Sequence, residues 1–290
     1  MSTTQAGVPA HAKPDFQLHI LSTDIGAELT GLDVRSLSDA AFQGIKASLG
    51  RHHLIVIREQ DLTSDDIEGF AMRFGAVEQH VFRQADGTVL GNVHRVSNLD
   101  ASGKPSVHPY NNANYYWHSD KAYLPRPSWI TMLYGVEIPP EGGDTQFVNM
   151  RSAYATLPEA TKREIDGLCV VNSFDHMIET TDMKRRSPEE KAKSPPVEHP
   201  LVRIDTDGHK SLFVTMYAQE VVGMPPDRSR ALLDRLMAHA TQPSGVFTLK
   251  WRHRDLVLWN NRALNHRAVA NYDMVKYHRL LKRIVVRGEE

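Results

Sequence analysis

The apolar runs of this chain are short, and glycine, proline or asparagine interrupts nearly all of them. Runs of roughly four to eight apolar or alternating residues bounded by such breakers read as strands, and a chain of many such strands folds into a sandwich or barrel. Residues 16–20 and 27–32 alternate, with Gly26 and Gly31 as breakers. Ser38 and Asp39 can cap a helix carrying Phe42, Ile45 and Leu49, and Leu54-Ile55-Val56-Ile57 reads as a buried strand. Thr63-Ser64-Asp65-Asp66 opens a second helix with Ile67, Phe70, Ala71 and Phe74, stopped by Gly75.

Residues 128–138 are β-type and end at Pro139-Pro140, after which Gly142-Gly143 turns the chain into 144–148, a hairpin-like return. A helix in two pieces is expected over 150–167, the second opened by Pro158. Asp207-Gly208 is a hairpin turn between 201–204 and 212–216. Residues 227–239 form an amphipathic helix with Leu232, Leu233, Leu236 and Met237 on one side, and three strands (246–251, 256–259, 280–286) finish the chain. Helices then cover one side of a mainly β body.

All-β folds of this length commonly form one unit, so residues 15–290 are read as a single domain behind a loose tail, 1–14, that has no secretory-signal pattern. Lid-like insertions are expected near 98–114, rich in Asn, Ser, Gly and Pro, and near 184–199, charged and proline-containing. A net charge of -1 gives no bulk attraction for nucleic acid or an anionic membrane surface. No apolar stretch approaches the roughly 18–20 residues that cross a bilayer. Cys169 is the only cysteine, which excludes an intrachain disulfide framework and cysteine-rich metal sites, and the expected location is cytoplasmic. A homo-oligomer is compatible with this composition.

Against that background His118-x-Asp120 stands out. Residues i and i+2 of a strand share a face about 6.5–7 Å apart, so both side chains can reach one ion. His266 would complete two histidines and a carboxylate, the set that leaves open positions on non-haem Fe(II). Arg279 and Arg283, i and i+4 of a strand, share a face about 13 Å apart. Each can grip a carboxylate bidentately, so the pair can hold two acids on opposite sides of one metal; solvated arginines on an exposed strand are the ordinary alternative.

The assembled motifs resemble the taurine dioxygenase / 2,4-dichlorophenoxyacetate dioxygenase family. They are Asn114-x-x-Trp117-His118-Ser119-Asp120, Pro139-Pro140-x-Gly142-Gly143-Asp144-Thr145, His199-Pro200-Leu201-Val202-Arg203, and Trp259-Asn260-Asn261-Arg262-x-x-x-His266 followed by Arg279 and Arg283. The resemblance implies a mainly β, double-stranded β-helix (jelly-roll, cupin-like) enzyme that uses Fe(II), 2-oxoglutarate and O2 to hydroxylate a small anionic organic substrate, releasing succinate and CO2. Carried over by position, His118, Asp120 and His266 are the iron ligands and Thr145 and Arg279 bind the distal carboxylate of 2-oxoglutarate. Arg283 meets the anionic group of the prime substrate, with His80, Arg83 and Asn114 lining its pocket. The segment 142–154 looks nearer to the aryloxyalkanoate branch than to the sulfonate branch.

Two positions depart from the family pattern. Asn260 replaces the usual aspartate after the tryptophan, removing a charge that would support the metal side. Lys121 stands where a small or uncharged residue is usual, either as a second anion contact or pointing to solvent. Tyr115, Tyr116 and Tyr123 are candidate aromatic walls. Two other readings compete: a zinc hydrolase, since the same ligands suit Zn2+ and one water, and a non-catalytic jelly-roll carboxylate-binding protein. Neither hydrolysis nor simple binding has a use for iron-dependent turnover of 2-oxoglutarate.

Overall fold

The computed structural model describes residues 16–78, 91–100, 103–106, 112–181 and 186–287. In chain order the strands are β1 (Gln17–Ile20), β2 (Ala27–Thr30), β3 (Leu54–Ile57), β4 (His94–Ser97), β5 (Ser128–Glu137), β6 (Thr145–Asn149), β7 (Cys169–Asn172), β8 (Val197–Pro200), β9 (Val202–Ile204), β10 (Lys210–Leu212), β11 (Ala218–Val221), β12 (Val246–Leu249), β13 (Leu256–Asn260), β14 (Leu264–Ala268) and β15 (Leu280–Arg287). The α-helices are α1 (Asp39–His52), α2 (Ser64–Met72), α3 (Met150–Ala155), α4 (Glu159–Ile165), α5 (Phe174–Thr180), α6 (Pro188–Ala192) and α7 (Pro226–Ala240).

The major sheet has seven strands in the order β1-β2-β3-β13-β5-β15-β4, and a smaller sheet runs β12-β6-β14. Strand alternation assigns the two faces of the major sheet to two different cores. Ile55, Ile57, Ile130, Met132, Leu256, Leu258, Ile284 and Val286 point outward and pack under α1 and α2, against Phe42, Ile45, Leu49, Ile67 and Phe70. Their neighbours Leu54, Val56, Leu133, Val257, Trp259 and Leu281 point inward and meet Phe147, Leu249 and Leu264 from the smaller sheet. The result is the expected jelly roll, but the helices are not confined to one side: α1 and α2 cover the outer face of the major sheet and others lie elsewhere. A third core joins α3, α5 and α7 to β7, β11 and the segment around Phe213 and Tyr217.

Local signals explain the helix ends. Ser38 accepts from the Ala41 N–H at the start of α1, and Thr63 and Asp66 form a reciprocal capping box on α2. Phe74 packs in the outer core but lies beyond the end of α2. Pro158 separates α3 from α4, as its place in the sequence predicts.

The expected hairpin-like return after β5 is corrected. β6 pairs with β12 and β14, and β5 pairs with β13 and β15, so residues 139–144 carry the chain from one sheet to the other. Gly142 and Gly143 both have positive φ, and a Cβ at Gly142 would run into the Asn271 carbonyl oxygen. Only glycine fits this crossing. β4, β7, β8, β11 and β14 are strands that the sequence pattern missed, and β14 carries His266. No helix among the described residues is long and apolar enough to cross a membrane. Residues 101–102, 107–111 and 184–185, parts of the two expected lid-like insertions, lie outside the described residues.

Candidate active site

The inward parity of each strand brings the functional side chains to one end of the space between the sheets. From β14, His266 stacks on Phe147, with ring centroids 6.1 Å apart, and meets Trp259 edge-on at 4.6 Å. His118 is joined to His266 by an antiparallel bridge, His118 N–H donating to His266 O at 3.0 Å and His266 N–H to His118 O at 2.8 Å. The expectation that His118 and Asp120 share a regular strand is met only in part. The strand-like geometry is a single bridge, and the chain then turns, with Lys121 at φ +55°.

The side-chain donor atoms of His118, Asp120 and His266 lie within 4.8 Å of one another, and all three residues are buried. Nε2 of each imidazole is 3.9 Å from an Asp120 carboxylate oxygen. His118 Nδ1 lies 2.7 Å from the Tyr116 carbonyl oxygen, which can only accept, so Nδ1 carries the proton and Nε2 keeps its lone pair. Burial depresses both histidine pKa values, and at His266 the neighbouring His118 adds to the depression. Burial opposes ionisation of Asp120, but the Arg283 guanidinium, helped by the Thr131 hydrogen bond, outweighs it and holds the carboxyl well below its ordinary range. Two neutral imidazoles and one ionised carboxylate suit a divalent first-row metal ion.

Around the carboxylate, Arg283 Nη2 donates to Asp120 Oδ1 at 2.7 Å, and the Thr131 hydroxyl donates to Oδ2. Asn261 ties this end of the site together. Its Oδ1 accepts from Asp120 N–H at 3.3 Å and Trp259 Nε1 at 3.1 Å, and its Nδ2 donates to Thr131 Oγ1 at 2.9 Å. Asn260 does not face the metal side at all. Its Oδ1 accepts from Arg262 N–H and closes the β13–β14 turn, so the missing aspartate charge leaves the triad untouched.

On one side of the triad lies a tight cavity of about 50 Å³ bordered by Leu133, Thr145, Trp259 and Arg279. Arg279 is buried; its Nε donates to Gly143 O at 2.7 Å and its Nη2 to Thr145 Oγ1 at 3.3 Å. Trp251 Nε1 donates to the same Thr145 oxygen at 2.9 Å. With its oxygen accepting twice, the Thr145 hydroxyl has its proton left to donate. Beside the guanidinium this makes a carboxylate cradle.

On the other side is a roomier cavity of about 160 Å³, bordered by Arg283, Lys121 and an apolar wall. Tyr123, Phe174 and Tyr217 form that wall, the Tyr123 ring 4.7 Å from Phe174 and 4.9 Å from Tyr217. Burial pushes the Tyr123 hydroxyl up to about 12, so it stays a neutral donor. Asn114 borders both cavities. Lys121 lines this cavity and is paired with Glu78, whose other oxygen accepts from Ser128 at 2.7 Å. Neither expectation for Lys121 is met as stated, since its charge is already answered by a side chain of this chain.

Of the other candidates, His80 and Arg83 lie outside the described residues. Tyr116 is exposed and Tyr115 directs its hydroxyl to the Met274 sulfur, leaving Tyr123 as the wall residue. The His199-to-Arg203 motif is structural: His199 Nε2 lies 2.9 Å from the Leu124 carbonyl, and Arg203 sits over Phe213. Sequence reasoning missed Thr131, Trp251 and the role of Asn261, which have no motif of their own or hide within a larger one. Phe174 and Tyr217 come from segments with no metal-site signal.

A jelly roll with a buried His-Asp-His cluster between two cavities, one ending in a guanidinium–hydroxyl cradle, defines an Fe(II)- and 2-oxoglutarate-dependent dioxygenase. The family model described as "Taurine catabolism dioxygenase TauD, TfdA family" matches residues 17–285, and the chain belongs to that family. It is 33% identical over 262 residues to the alpha-ketoglutarate-dependent 2,4-dichlorophenoxyacetate dioxygenase of Burkholderia sp. (strain RASC), covering 87% of this chain and 88% of that one. It is 30% identical over 285 residues to an alkylsulfatase of Acinetobacter baylyi, covering 94% and 86%. Among solved structures it superposes on AAD-2 in complex with Mn(II) and N-oxalylglycine with a TM-score of 0.84 and 32% identity, over 95% of this chain and 98% of that one.

Proposed function

We propose that this dioxygenase hydroxylates a small monoanionic substrate with an aromatic body, of the aryloxyalkanoate type. His118, Asp120 and His266 hold the iron, and Thr145 and Arg279 hold the distal carboxylate of 2-oxoglutarate. Arg283 receives the substrate anion and Asn114 lines the path between the two cavities. His80 and Arg83 are assigned to the substrate pocket on sequence resemblance alone. With iron and 2-oxoglutarate bound, O2 is divided between succinate and the new hydroxyl group as CO2 leaves.

The observation that carries this reading is the asymmetry of the two cavities. Among the described residues, Arg279 borders only the tight one, while Arg283 borders both and is the sole arginine of the roomier one, beside Tyr123, Phe174 and Tyr217. An aromatic wall favours a flat ring by edge-to-face contact. Charge points the same way. The metal dication, Arg279 and Arg283 balance Asp120, dianionic 2-oxoglutarate and one further negative charge, because Lys121 is already neutralised by Glu78. The protein's own groups place the two acids, exclude water and keep Asp120 ionised.

Relatives of this chain include enzymes named for 2,4-dichlorophenoxyacetate and for alkyl sulfates, so a substrate panel separates the classes. Succinate release is measured with Fe(II), ascorbate and 2-oxoglutarate across aryloxyacetates, aryloxypropionates, alkylsulfonates and alkyl sulfates, with His266→Ala as control. Stimulation by an aryloxyalkanoate that vanishes in the control supports the proposal. Stimulation by alkyl sulfates or sulfonates alone moves the substrate class, and succinate release that no member of the panel stimulates places the prime substrate outside all four classes.

A further inference from the structure

We infer that Asn261 is a positioning residue for the metal carboxylate, acting through Thr131 to hold the orientation in which Asp120 meets the ion. The inference rests on the assignment of His118, Asp120 and His266 as the metal site and adds a residue that touches neither metal nor substrate.

The direction of the hydrogen bonds follows from donor and acceptor chemistry. Asn261 Oδ1 accepts from two N–H groups, Asp120 N and Trp259 Nε1, neither of which can accept in return. The amide is thereby oriented with its NH2 toward Thr131, and Nδ2 donates to Thr131 Oγ1 at 2.9 Å. Thr131 Oγ1 then has one proton of its own to place, and Asp120 Oδ2 is the acceptor in front of it. The Asn261 main chain contributes as well, its carbonyl oxygen accepting from Ser119 Oγ at 2.8 Å.

Asn261, Thr131, Trp259 and Asp120 are all buried, at 3%, 0%, 1% and 8% exposure, so water cannot substitute for a missing partner. A network satisfied in this way rigidifies the groups it joins. Its effect at Asp120 is specific. The Thr131 hydroxyl engages Oδ2 while Arg283 Nη2 donates to Oδ1 at 2.7 Å, so the plane of the carboxylate is set from both of its oxygens.

The sequence separation underlines how this is built. Asn261 follows β13 and Thr131 lies on β5, the strand beside it, where Trp259 and Thr131 are direct register partners. The β13–β5 pairing therefore presents the amide to the hydroxyl, and Asp120 arrives from the other side on the turn after His118. Outer partners of metal ligands commonly change metal affinity by roughly 10- to 100-fold when removed.

The test uses Mn(II) alone, titrated into the full-length protein and followed by the electron paramagnetic resonance signal of the free ion. Thr131→Val keeps the shape and removes the hydroxyl; Thr131→Ser keeps the hydroxyl; Asn261→Ala removes the orienting amide. The inference expects Mn(II) affinity to fall about tenfold or more in Thr131→Val and in Asn261→Ala, and to stay within about threefold of the parent in Thr131→Ser. It also expects Asn261→Ala combined with Thr131→Val to bind little worse than Thr131→Val alone, because residues acting through one contact are not additive.

Folded Thr131→Val that binds Mn(II) like the parent overturns the inference, and so does a double variant whose losses multiply. A merely structural Asn261 would lower the melting temperature of Asn261→Ala and leave Mn(II) affinity unchanged. If Asn261→Ala fails to fold, the Thr131→Val and Thr131→Ser pair still decides the outcome. A parent protein that binds no Mn(II) overturns the inference together with the metal assignment beneath it.

Discussion

Arg283 Nη2 lies 2.7 Å from Asp120 Oδ1, so the guanidinium that borders the larger cavity also steadies the carboxylate of the triad. Arg279 has no such link; it is anchored to Gly143 and Thr145 in the other cavity. The two arginines are therefore not equivalent. Arg283→Ala is expected to weaken the prime substrate by about 2–5 kcal/mol and to lower Mn(II) affinity as well. Arg279→Ala should weaken 2-oxoglutarate by a similar amount and leave Mn(II) binding close to that of the parent. Calorimetric titration of each ligand separates the two, and equal losses of both acids in both variants would refute the assignment.

Thr145 gives a finer test of the same cradle. Removing its hydroxyl in Thr145→Val takes a donor from the 2-oxoglutarate carboxylate and a partner from Trp251 and Arg279. Hydrogen bonds to charged groups are worth roughly 1.5–3 kcal/mol, so 2-oxoglutarate should bind ten- to a hundredfold more weakly. Thr145→Ser should stay near the parent, and the prime substrate should be affected little in either.

The aromatic wall makes a prediction about selectivity. Phe174→Leu removes a ring that faces Tyr123 at 4.7 Å and keeps an apolar side chain in its place. The ratio of kcat/KM for an aryloxyacetate over an alkyl acid should fall by about two- to tenfold, the scale of about 0.5–1.5 kcal/mol for an aromatic pair. An unchanged ratio would mean that the ring of the substrate does not reach this wall.

How far the sequence alone reaches is clear from particular residues. The His118-x-Asp120 pair and the continuous apolar run Leu54-Ile55-Val56-Ile57 are legible because short local patterns set them. The strand Leu264–Ala268 is not legible, since it buries Asn265 and His266, whose polarity hides its β character. Asn265 is held by a bond from its Nδ2 to Val214 O, a contact across sequence that no local window contains. The same limit explains the false hairpin: Gly142-Gly143 signals a turn, while the Asn271 carbonyl that dictates a sheet crossing lies far along the chain. Lys121 could not be placed for the same reason, because its partner Glu78 comes from another segment.

His53 supplies a stability prediction separate from the site. Burial, aided by the Arg151 charge, lowers its pKa from 6.5 to about 4. Above pH 6.5 the imidazole is neutral in both the folded and the unfolded chain and contributes nothing to the pH slope. As pH falls from 6.5 to 4 the unfolded chain takes up the proton first, so stability declines by up to about 3 kcal/mol. His53 has φ +62°, a conformation asparagine tolerates, so His53→Asn should fold and flatten this part of the curve. Denaturant unfolding at pH 7 and pH 5 measures the difference; an unchanged slope would assign the pH dependence to other groups.

The most direct test of the central claim follows an oxygen atom of O2 into succinate. The protein is supplied with Fe(II), 2-oxoglutarate, an aryloxyalkanoate and isotopically labelled O2, and succinate and the phenol released from the hydroxylated substrate are quantified together. The account predicts equal amounts of succinate and phenol, label in the succinate carboxylate, and loss of both products in His266→Ala. Phenol released without succinate, or with label absent from succinate, would contradict it.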